Sequence, residues 1–580
     1  MIYHWSSRSI RARWSLLEVE TDGTYRDDIQ AYAAGIVEGA LTSYLIHTHL
    51  DNTVRAVCGE HARQCDRVKD ELDKSVNIWK SYAAEREATD PFWHHVSLYY
   101  TQISGMYTGW KHGSERNANT KSDTDISELY WLNSMADVVE LQRKMNITID
   151  NNPVNKLPGL SSAFLRVVNE TLENGTTTKR IYLAHNAAGS YSSMTRILKK
   201  YKLNYRKTST DDAAVPGLSV EFSGYPGSVT SQDEFYVIRG DNHRMAVAGT
   251  TLRNYNKKLW KSVNITEQLP VGPRVAAANK LSANVSSWGR TLAAHNSGTA
   301  TKQWLVVDFA HFHHIQQGKV KDRKEIVTEI TVNKDVKHTI IHRWGGGRGR
   351  GAAWLLEQAP GRTQSADLTA ALLDKHYWAT YGLPFFKDVA ELTHVTKMEA
   401  IYGKMFSESE SPRAVTFKQG YKNATSLDSI IQLMRMNNIT ALNENQTKLP
   451  ECSDELNCLL EDADLWSALG ARGTTDGDSL DLVAISSPPF TEPPKLNLTE
   501  IKFNKGNVAS IYTDAFDDEP TIDGLQIRDL VKQKAEEELE MLNKDILQPF
   551  QWSESSFKDK THEGLPDKWA FGPFKPQWSW

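Results

Sequence analysis

The alternation of apolar and polar positions splits the chain into a helical opening and a longer part of mixed texture. Residues 14–21 (Trp-Ser-Leu-Leu-Glu-Val-Glu-Thr) predict a strand running into the Asp22-Gly23 turn. From Asp27 the period changes. Ile29, Tyr32, Ala33, Ile36, Val37, Ala40 and Leu41 make one apolar helical face. Helical patterns recur at 66–86, 91–110 and 126–144, so residues 1–145 read as a mostly helical N-terminal segment. Asn146–Leu160, rich in Asn and holding Pro153 and Pro158, reads as an exposed linker where cutting would be tolerated. Beyond it, the apolar runs 163–168 and 181–184 flank a polar, Gly-containing stretch and predict strand, turn, strand. Ser161 opens the first of these strands and His185 closes the second. Met194, Ile197, Leu198 and Tyr201 fall at i, i+3, i+4 and i+7 and predict a helix on this hairpin.

Further strands are expected at Ser219–Phe222, Glu234–Ile238, Met245–Thr251, Gln303–Phe309, Glu325–Val332, His338–His342 and Ala353–Leu356. A helical stripe spans 272–295 through Val275, Leu281, Val285, Trp288 and Leu292, and 427–436 and 524–545 also read as helical. The fold class this implies is α+β, with stacked helix and sheet layers and a body over 161–580. No period of 20–50 residues repeats.

Composition narrows the function classes. The chain has 580 residues, 40% of them hydrophobic and 24% charged, as soluble globular proteins do. A net charge of −5 is too mild to argue for nucleic acid or an anionic membrane surface as partner. No run approaches the length of a membrane span. The four cysteines form two close pairs, Cys58/Cys65 and Cys452/Cys458. Their spacings suit zinc poorly and no histidine pair completes either, so two local disulfides are expected, with free thiols the alternative. Asn146, Asn169, Asn174, Asn264, Asn284, Asn423, Asn438, Asn445 and Asn497 each begin Asn-x-Ser/Thr. Nine glycosylation sequons beside paired cysteines point to a secreted protein or a lysosomal lumen. Met1–Arg13 lacks the apolar core of a signal peptide, so that destination requires a start upstream or an incomplete chain.

Several local features do not carry chemistry. Gly345–Gly351 is glycine-rich, but no Gly-Lys-Ser/Thr follows, and it reads as an exposed loop. His311, His313 and His314 follow a strand and are expected to decorate its turn. The cluster Asp514, Asp517, Asp518 and Glu519 lacks calcium-loop spacing and reads as a solvated acidic loop. No Gly-x-Ser-x-Gly elbow is present, which disfavours an ordinary α/β-hydrolase. On spacing alone Ser161 is a turn residue at a strand start, and His185 a hydrogen-bonded structural histidine.

A series of words changes that reading. They are Gln30-Ala-Tyr-Ala-Ala-Gly35 with Glu38-Gly39, Leu183-Ala-His-Asn186, Arg196-Ile-Leu-Lys-Lys-Tyr201, Phe222-Ser-Gly-Tyr-Pro-Gly227 and Asp233-Glu-Phe-Tyr236. Asn296-Ser-Gly-Thr299, Gln303-Trp304, Leu356-Glu-Gln358, Tyr377-Trp378, Ser411-Pro-Arg-Ala414 and Phe550-Gln-Trp-Ser553 follow in order. Through them the chain resembles the phospholipase B-like family over nearly its whole length. The local cysteine pairs and abundant sequons are similar to that family too.

The resemblance implies an N-terminal-nucleophile hydrolase fold, an αββα sandwich, in which a proenzyme cuts itself just before its nucleophile. Here that bond is Leu160–Ser161. The freed α-amine, of unperturbed pKa roughly 7.7–8.0, then serves as general base for its own side chain. His185, Thr251 and Arg413 match the family's site, with Ser161 as its nucleophile. Ser161 stands where the family has a nucleophilic cysteine, and a hydroxyl needs stronger base help than a thiol. Ala188 replaces a tryptophan, enlarging the pocket, and Thr301-Lys302 replaces two asparagines. Gly382 replaces an asparagine whose amide would be worth about 3–4 kcal/mol if it met the developing oxyanion. Gly382 is expected to offer a backbone N–H, or room for a water, in its place. The implied substrate is a lipid or other small molecule with an acyl ester or amide bond, with no metal or organic cofactor. The alternative is a catalytically silent glycoprotein of the same fold that binds lipid or a partner.

Overall fold

The structure is a computed structural model. It describes residues 14–116, 124–147, 161–171, 175, 177–187, 191–241, 243–317, 350–436, 482–486, 550–555 and 558–580, and the strand pieces 2–6, 342–343, 471–472, 521–522 and 525–526. Strands β1 (Ile2–Ser6) and β2 (Ser15–Glu20) precede seven helices: α1 (Asp27–Leu41), α2 (Ser43–Asn52), α3 (Val54–Glu60), α4 (Ala62–Ala84), α5 (Pro91–Arg116), α6 (Ile126–Leu132) and α7 (Met135–Met145). Then come β3 (Ser161–Thr171), β4 (Thr177–Ala187), β5 (Ile197–Lys202), β6 (Ser219–Gly224), β7 (Phe235–Arg239), β8 (Arg244–Thr251), α8 (Val271–Leu281), α9 (Val285–Ala293), β9 (Lys302–Asp308) and α10 (Phe309–Gln316). The remainder includes β10 (His342–Arg343), β11 (Ala353–Ala359), β12 (Arg362–Asp367), α11 (Thr369–Lys375), β13 (Tyr377–Thr380), α12 (Lys387–Leu392), α13 (Val395–Tyr402), α14 (Pro412–Gly420) and α15 (Leu427–Met434).

Ten strands make one sheet, ordered β1-β2-β5-β6-β7-β8-β9-β11-β12-β10, and the β3–β4 hairpin leads a second sheet with β13 on its flank. The protein is thus α+β. The layers follow from which side chains share a core. Leu165, Val167, Ile181 and Leu183 of the hairpin pack on Val237, Ala246, Ala248, Leu305 and Val307 of the large sheet. The other face of the large sheet, with Tyr236, Val247, Trp304 and Val306, is covered by helical residues including Ala31, Ala34, Leu98, Val275 and Trp288. Phe164 and Tyr182, on the hairpin's other face, meet Phe417, Ile430 and Leu433 of α14 and α15. β2 belongs to the same sheet as β5–β9, so the helical opening is tied covalently and by strand pairing to the body.

Four expectations are corrected. Ile197–Lys202 is a strand, not part of a helix, and pairs with β2 and β6. A spacing of four is shared by helix and strand periods: Ile197 and Tyr201 face the helices while Leu198 faces the second sheet. The 126–144 and 272–295 patterns each break into two helices, the second at a capping box on Asn284. His311, His313 and His314 lie on α10, whose start is capped by Asp308 accepting from the His311 N–H. On α1 the apolar stripe is not the buried one. Gln30, Ala31, Ala34, Gly35, Glu38 and Gly39 are buried, whereas Ile29, Tyr32 and Leu41 are exposed. Gly35 and Gly39 lie on the α5 backbone, and Gly105 and Gly109 of α5 on that of α1, so any added Cβ would collide. Backbone proximity sets this contact, and Glu38 is held by the Lys199 Nζ at 2.5 Å and the Tyr201 hydroxyl.

Cys58 and Cys65 form a disulfide, while Cys452 and Cys458 lie outside the described residues. Among the sequon asparagines, Asn146, Asn169, Asn284 and Asn423 are exposed and Asn264 is half-buried. Asn174, Asn438, Asn445 and Asn497 lie outside the described residues, as do the strand expected at 325–332, most of the strand expected at 338–342, most of the helix expected at 524–545, and the acidic loop at 514–519. Leu525–Gln526 is a short strand paired with Thr521–Ile522. Among the described residues, no helix is long and apolar enough to cross a membrane.

Candidate active site

The site begins with a mismatch between two strands. β8 pairs with β7 only as far as Phe235↔Ala248, because β7 starts at Phe235 whereas β8 runs on to Thr251. The last β8 residues therefore keep β9 on one edge and lose β7 on the other. Gly249 N–H still donates to the Glu234 carbonyl at 2.8 Å. The next groups on that edge, Gly249 C=O and Thr251 N–H, have no strand to meet, and buried backbone groups require partners. The hairpin of the second sheet supplies them. His185 Nε2 lies 2.8 Å from the Gly249 oxygen, and Thr251 N–H donates to Ser161 Oγ at 2.9 Å.

Ser161 opens β3 opposite Ala187 of β4, and Ala163 is opposite His185. On the other side Thr380 of β13 is opposite Ala163, a register that carries Gly382 toward Ser161. Asn186 fixes the strand start, its Oδ1 accepting from both the N–H (2.8 Å) and Oγ (2.5 Å) of Ser162. Its Nδ2 donates to the Met434 carbonyl at 3.0 Å, joining β4 to the end of α15. Thr250 Oγ1, 3.1 Å from Thr380 Oγ1, adds a bond between the sheets.

His185 is fully buried and stacks on Phe235. A carbonyl only accepts, so Nε2 carries the hydrogen and Nδ1 is bare, with no hydrogen-bond partner among the described residues. Burial, only partly offset by Gly249 and reinforced by the Lys302 charge, pushes its pKa down to about 4. It is thus neutral in the pH 5–8 range and committed to Gly249, with no hydrogen bond to Ser161. No Ser–His dyad exists here. Thr251 meets Ser161 through its backbone, not its hydroxyl.

Behind Gly382 lies a buried carboxyl. Glu357 accepts from Gln303 Nε2 (2.6 Å), Phe385 N–H (2.7 Å) and Phe386 N–H (3.2 Å). Burial outweighs these bonds and raises its pKa to about 7. Gln303 Oε1 in turn accepts the Gly382 N–H at 3.1 Å, and Gly382 C=O accepts from Arg253 N–H at 2.8 Å. The expectation that Gly382 leaves a backbone donor for an oxyanion is corrected: that N–H is already taken. Its φ of +85° is a left-handed value that glycine adopts without strain.

The structure therefore brings Ser161, His185 and Thr251 together. Arg413, at the start of α14, donates to the Met436 carbonyl at 3.0 Å, beside the Met434 carbonyl that Asn186 holds. Ala188 lies outside the described residues. Gly249, Glu234 and Glu357, which sequence reasoning did not single out, complete the surroundings. The words Asp233-Glu-Phe-Tyr236 and Leu356-Glu-Gln358 contain two of them, but nothing in a linear pattern ties either to Ser161.

A sequence profile of the family described as phospholipase B matches residues 4–576. The phospholipase B-like lamina ancestor of Drosophila melanogaster is 29% identical, over 98% of this chain and 87% of its own. The human phospholipase B-like 2 is 28% identical, over 97% of this chain and 83% of its own. The Caenorhabditis elegans phospholipase B-like 3 reaches 30% over 74% of this chain and 65% of its own. The names of all three leave their activity provisional.

Proposed function

This chain belongs to the phospholipase B family, and from that premise we propose that it is an N-terminal-nucleophile hydrolase of acyl ester or amide bonds in lipids. In this reading the helix–sheet–sheet–helix layering is the αββα sandwich of that class, and residues 146–160 are the segment cut during activation. The observation that carries it is the seat of Ser161: first residue of β3, its Oγ held by the Thr251 N–H of β8, which pairing with β7 leaves uncovered.

The chemistry follows from that seat. Ser161 Oγ attacks the Leu160 carbonyl carbon; the C–N bond breaks, leaving Leu160 esterified on Oγ and an α-amine on Ser161. Water hydrolyses the ester. In turnover the α-amine takes the Oγ proton, Oγ attacks the substrate acyl carbon, and the proton passes to the leaving alcohol or amine. Water then releases the acid and restores Ser161. A base internal to the nucleophile's own residue is what the site needs, because His185, with its pKa pushed down to about 4, is a weak base and its Nε2 is engaged with Gly249. His185 and Thr251 act as positioning groups, and Arg413 orders the segment beyond α15. The disulfide and the exposed sequon asparagines support a secreted or lysosomal setting.

A second reading, a silent glycoprotein that binds lipid or a partner, is favoured by one observation: the Gly382 and Arg253 N–H groups are both spent, which leaves fewer donors for an oxyanion. Intact mass and N-terminal sequencing after secretory expression, before and after incubation at acidic pH, separate the two. A fragment beginning Ser-Ser-Ala-Phe, absent in Ser161→Ala together with ester turnover, is expected. Turnover that survives Ser161→Ala refutes the hydrolase scheme, and a chain that stays whole supports the silent protein.

A further inference from the structure

Lys302 is a buried lysine whose Nζ lies 2.5 Å from Oε1 of Glu234, the two side chains being 8% and 9% exposed. The pair is not a bridge between adjacent strands. Lys302 sits on β9 directly opposite Thr251 of β8. Glu234 sits on the far side of β8, just before β7, with its carbonyl on Gly249 N–H. The bridge therefore crosses β8 on its helix-facing side, over the two residues that hold His185 and Ser161. Gly249 has no room for a side chain there: an added Cβ would lie 2.7 Å from Glu234 Cβ and 2.9 Å from Trp304. Glu234 also has φ +56°, a left-handed conformation that costs a non-glycine residue energy. That conformation precedes the first β7 residue, where pairing with β8 stops and the edge opens.

Resting on the N-terminal-nucleophile reading above, we propose that the Lys302–Glu234 bridge is the positioning element of the Ser161 site, fixing Gly249 C=O and Thr251 N–H while its charge sets the basicity of the α-amine that cleavage frees. The other titratable groups facing the bridge are Asp137 and Glu140 of α7, His185 of β4, Tyr236 of β7 and Tyr225 between β6 and β7, with Arg143 and Arg274 behind them against Glu140 and Asp137. Lys302 is the cation of the bridge and lies on the strand paired with the Thr251 end of β8. Its field already reaches His185, whose protonated form it disfavours, and would act in the same direction on an ammonium at Ser161.

The test is a titration of the amine itself, so it needs no substrate. The full chain is expressed through a secretory pathway and cleaved. The pH midpoint of labelling of the Ser161 α-amine by a small isothiocyanate is then read from the mass of the N-terminal peptide. Glu234→Gln removes one negative charge at nearly constant shape and is expected to lower the midpoint by about one unit, for a net charge gained within a few strand spacings. Adding Lys302→Met should return it to within a few tenths of a unit of the starting value, a rescue that a purely structural role does not produce. Lys302→Arg, which keeps charge and reach, should titrate as the parent does. A Glu234→Gln midpoint that stays put, rises, or is not restored by Lys302→Met overturns the proposal. If Glu234→Gln is not cleaved, Lys302→Arg decides: cleavage there supports the bridge, and arrest there too overturns it. A parent chain that is never cleaved overturns the hydrolase reading and this inference with it; normal cleavage with unmoved midpoints overturns this inference alone.

Discussion

Gly249→Ala is the smallest change that tests how the site is held. The added methyl would stand 2.7 Å from Glu234 Cβ and 2.9 Å and 3.0 Å from two carbons of the Trp304 ring, against ordinary contacts of 3.4–4 Å. Neither neighbour yields easily. Trp304 is fully buried, and Glu234 is pinned at Cβ by its own backbone and at its carboxylate by Lys302. Relief therefore requires β8 to move by roughly 0.7 Å, the shortfall from the lower contact limit. Overpacking of this kind costs about 1–3 kcal/mol, of which the lower chain entropy of alanine returns roughly 0.5–1. A net loss of about 1–2 kcal/mol is expected in urea unfolding. The functional consequence should be larger. The bonds to the Gly249 oxygen and from the Thr251 N–H are 2.8 and 2.9 Å long, and a displacement of about 0.7 Å takes both past hydrogen-bonding length. Cleavage before Ser161, followed by intact mass over time, should slow at least tenfold. Gly572→Ala, where an added Cβ meets nothing within 4 Å, is the control and should unfold within about 0.5 kcal/mol of the parent. Gly249→Ala that matches this control in stability and cleaves at the parent rate would refute the argument.

The buried carboxyl of Glu357 makes stability depend on pH. Its pKa is raised in the folded state from 4.5 to about 7, so its contribution is fully present below pH 4.5 and lost as pH rises through 7. The full difference is about 3 kcal/mol; Glu357→Gln should remove that slope between pH 4.5 and 8 in urea unfolding, and an unchanged slope would count against it. The Cys58–Cys65 disulfide closes a sequence separation of 7 residues between α3 and α4. Replacing both cysteines by serine should cost about 2 kcal/mol, measured as a lower urea midpoint, and equal midpoints for the parent and the double variant would show the link to be idle.

Much of this protein is legible along the chain because the signals are local. The β3–β4 hairpin, the long helices α4 and α5, and the strands β6 to β9 are set by runs and periods within one element, and the fold class and the Cys58–Cys65 pair follow from the same short-range reading. His185 could be singled out because it lies in the word Leu183-Ala-His-Asn186, and Ser161 because it opens the first strand after the linker. Tertiary structure decided the rest. Ile197–Lys202 became a strand because a four-residue spacing satisfies both periods and two neighbouring strands claimed its backbone. The exposed stripe on α1 reflects glycine-mediated contact with α5, which apolar counting does not register. Most of all, the seat of Ser161 is a property of where β7 begins relative to the end of β8, in a different sheet from the hairpin that uses it. Unpaired edges, and the charges packed across them, exist only once strands from distant parts of the chain are in register, so no local pattern carries them.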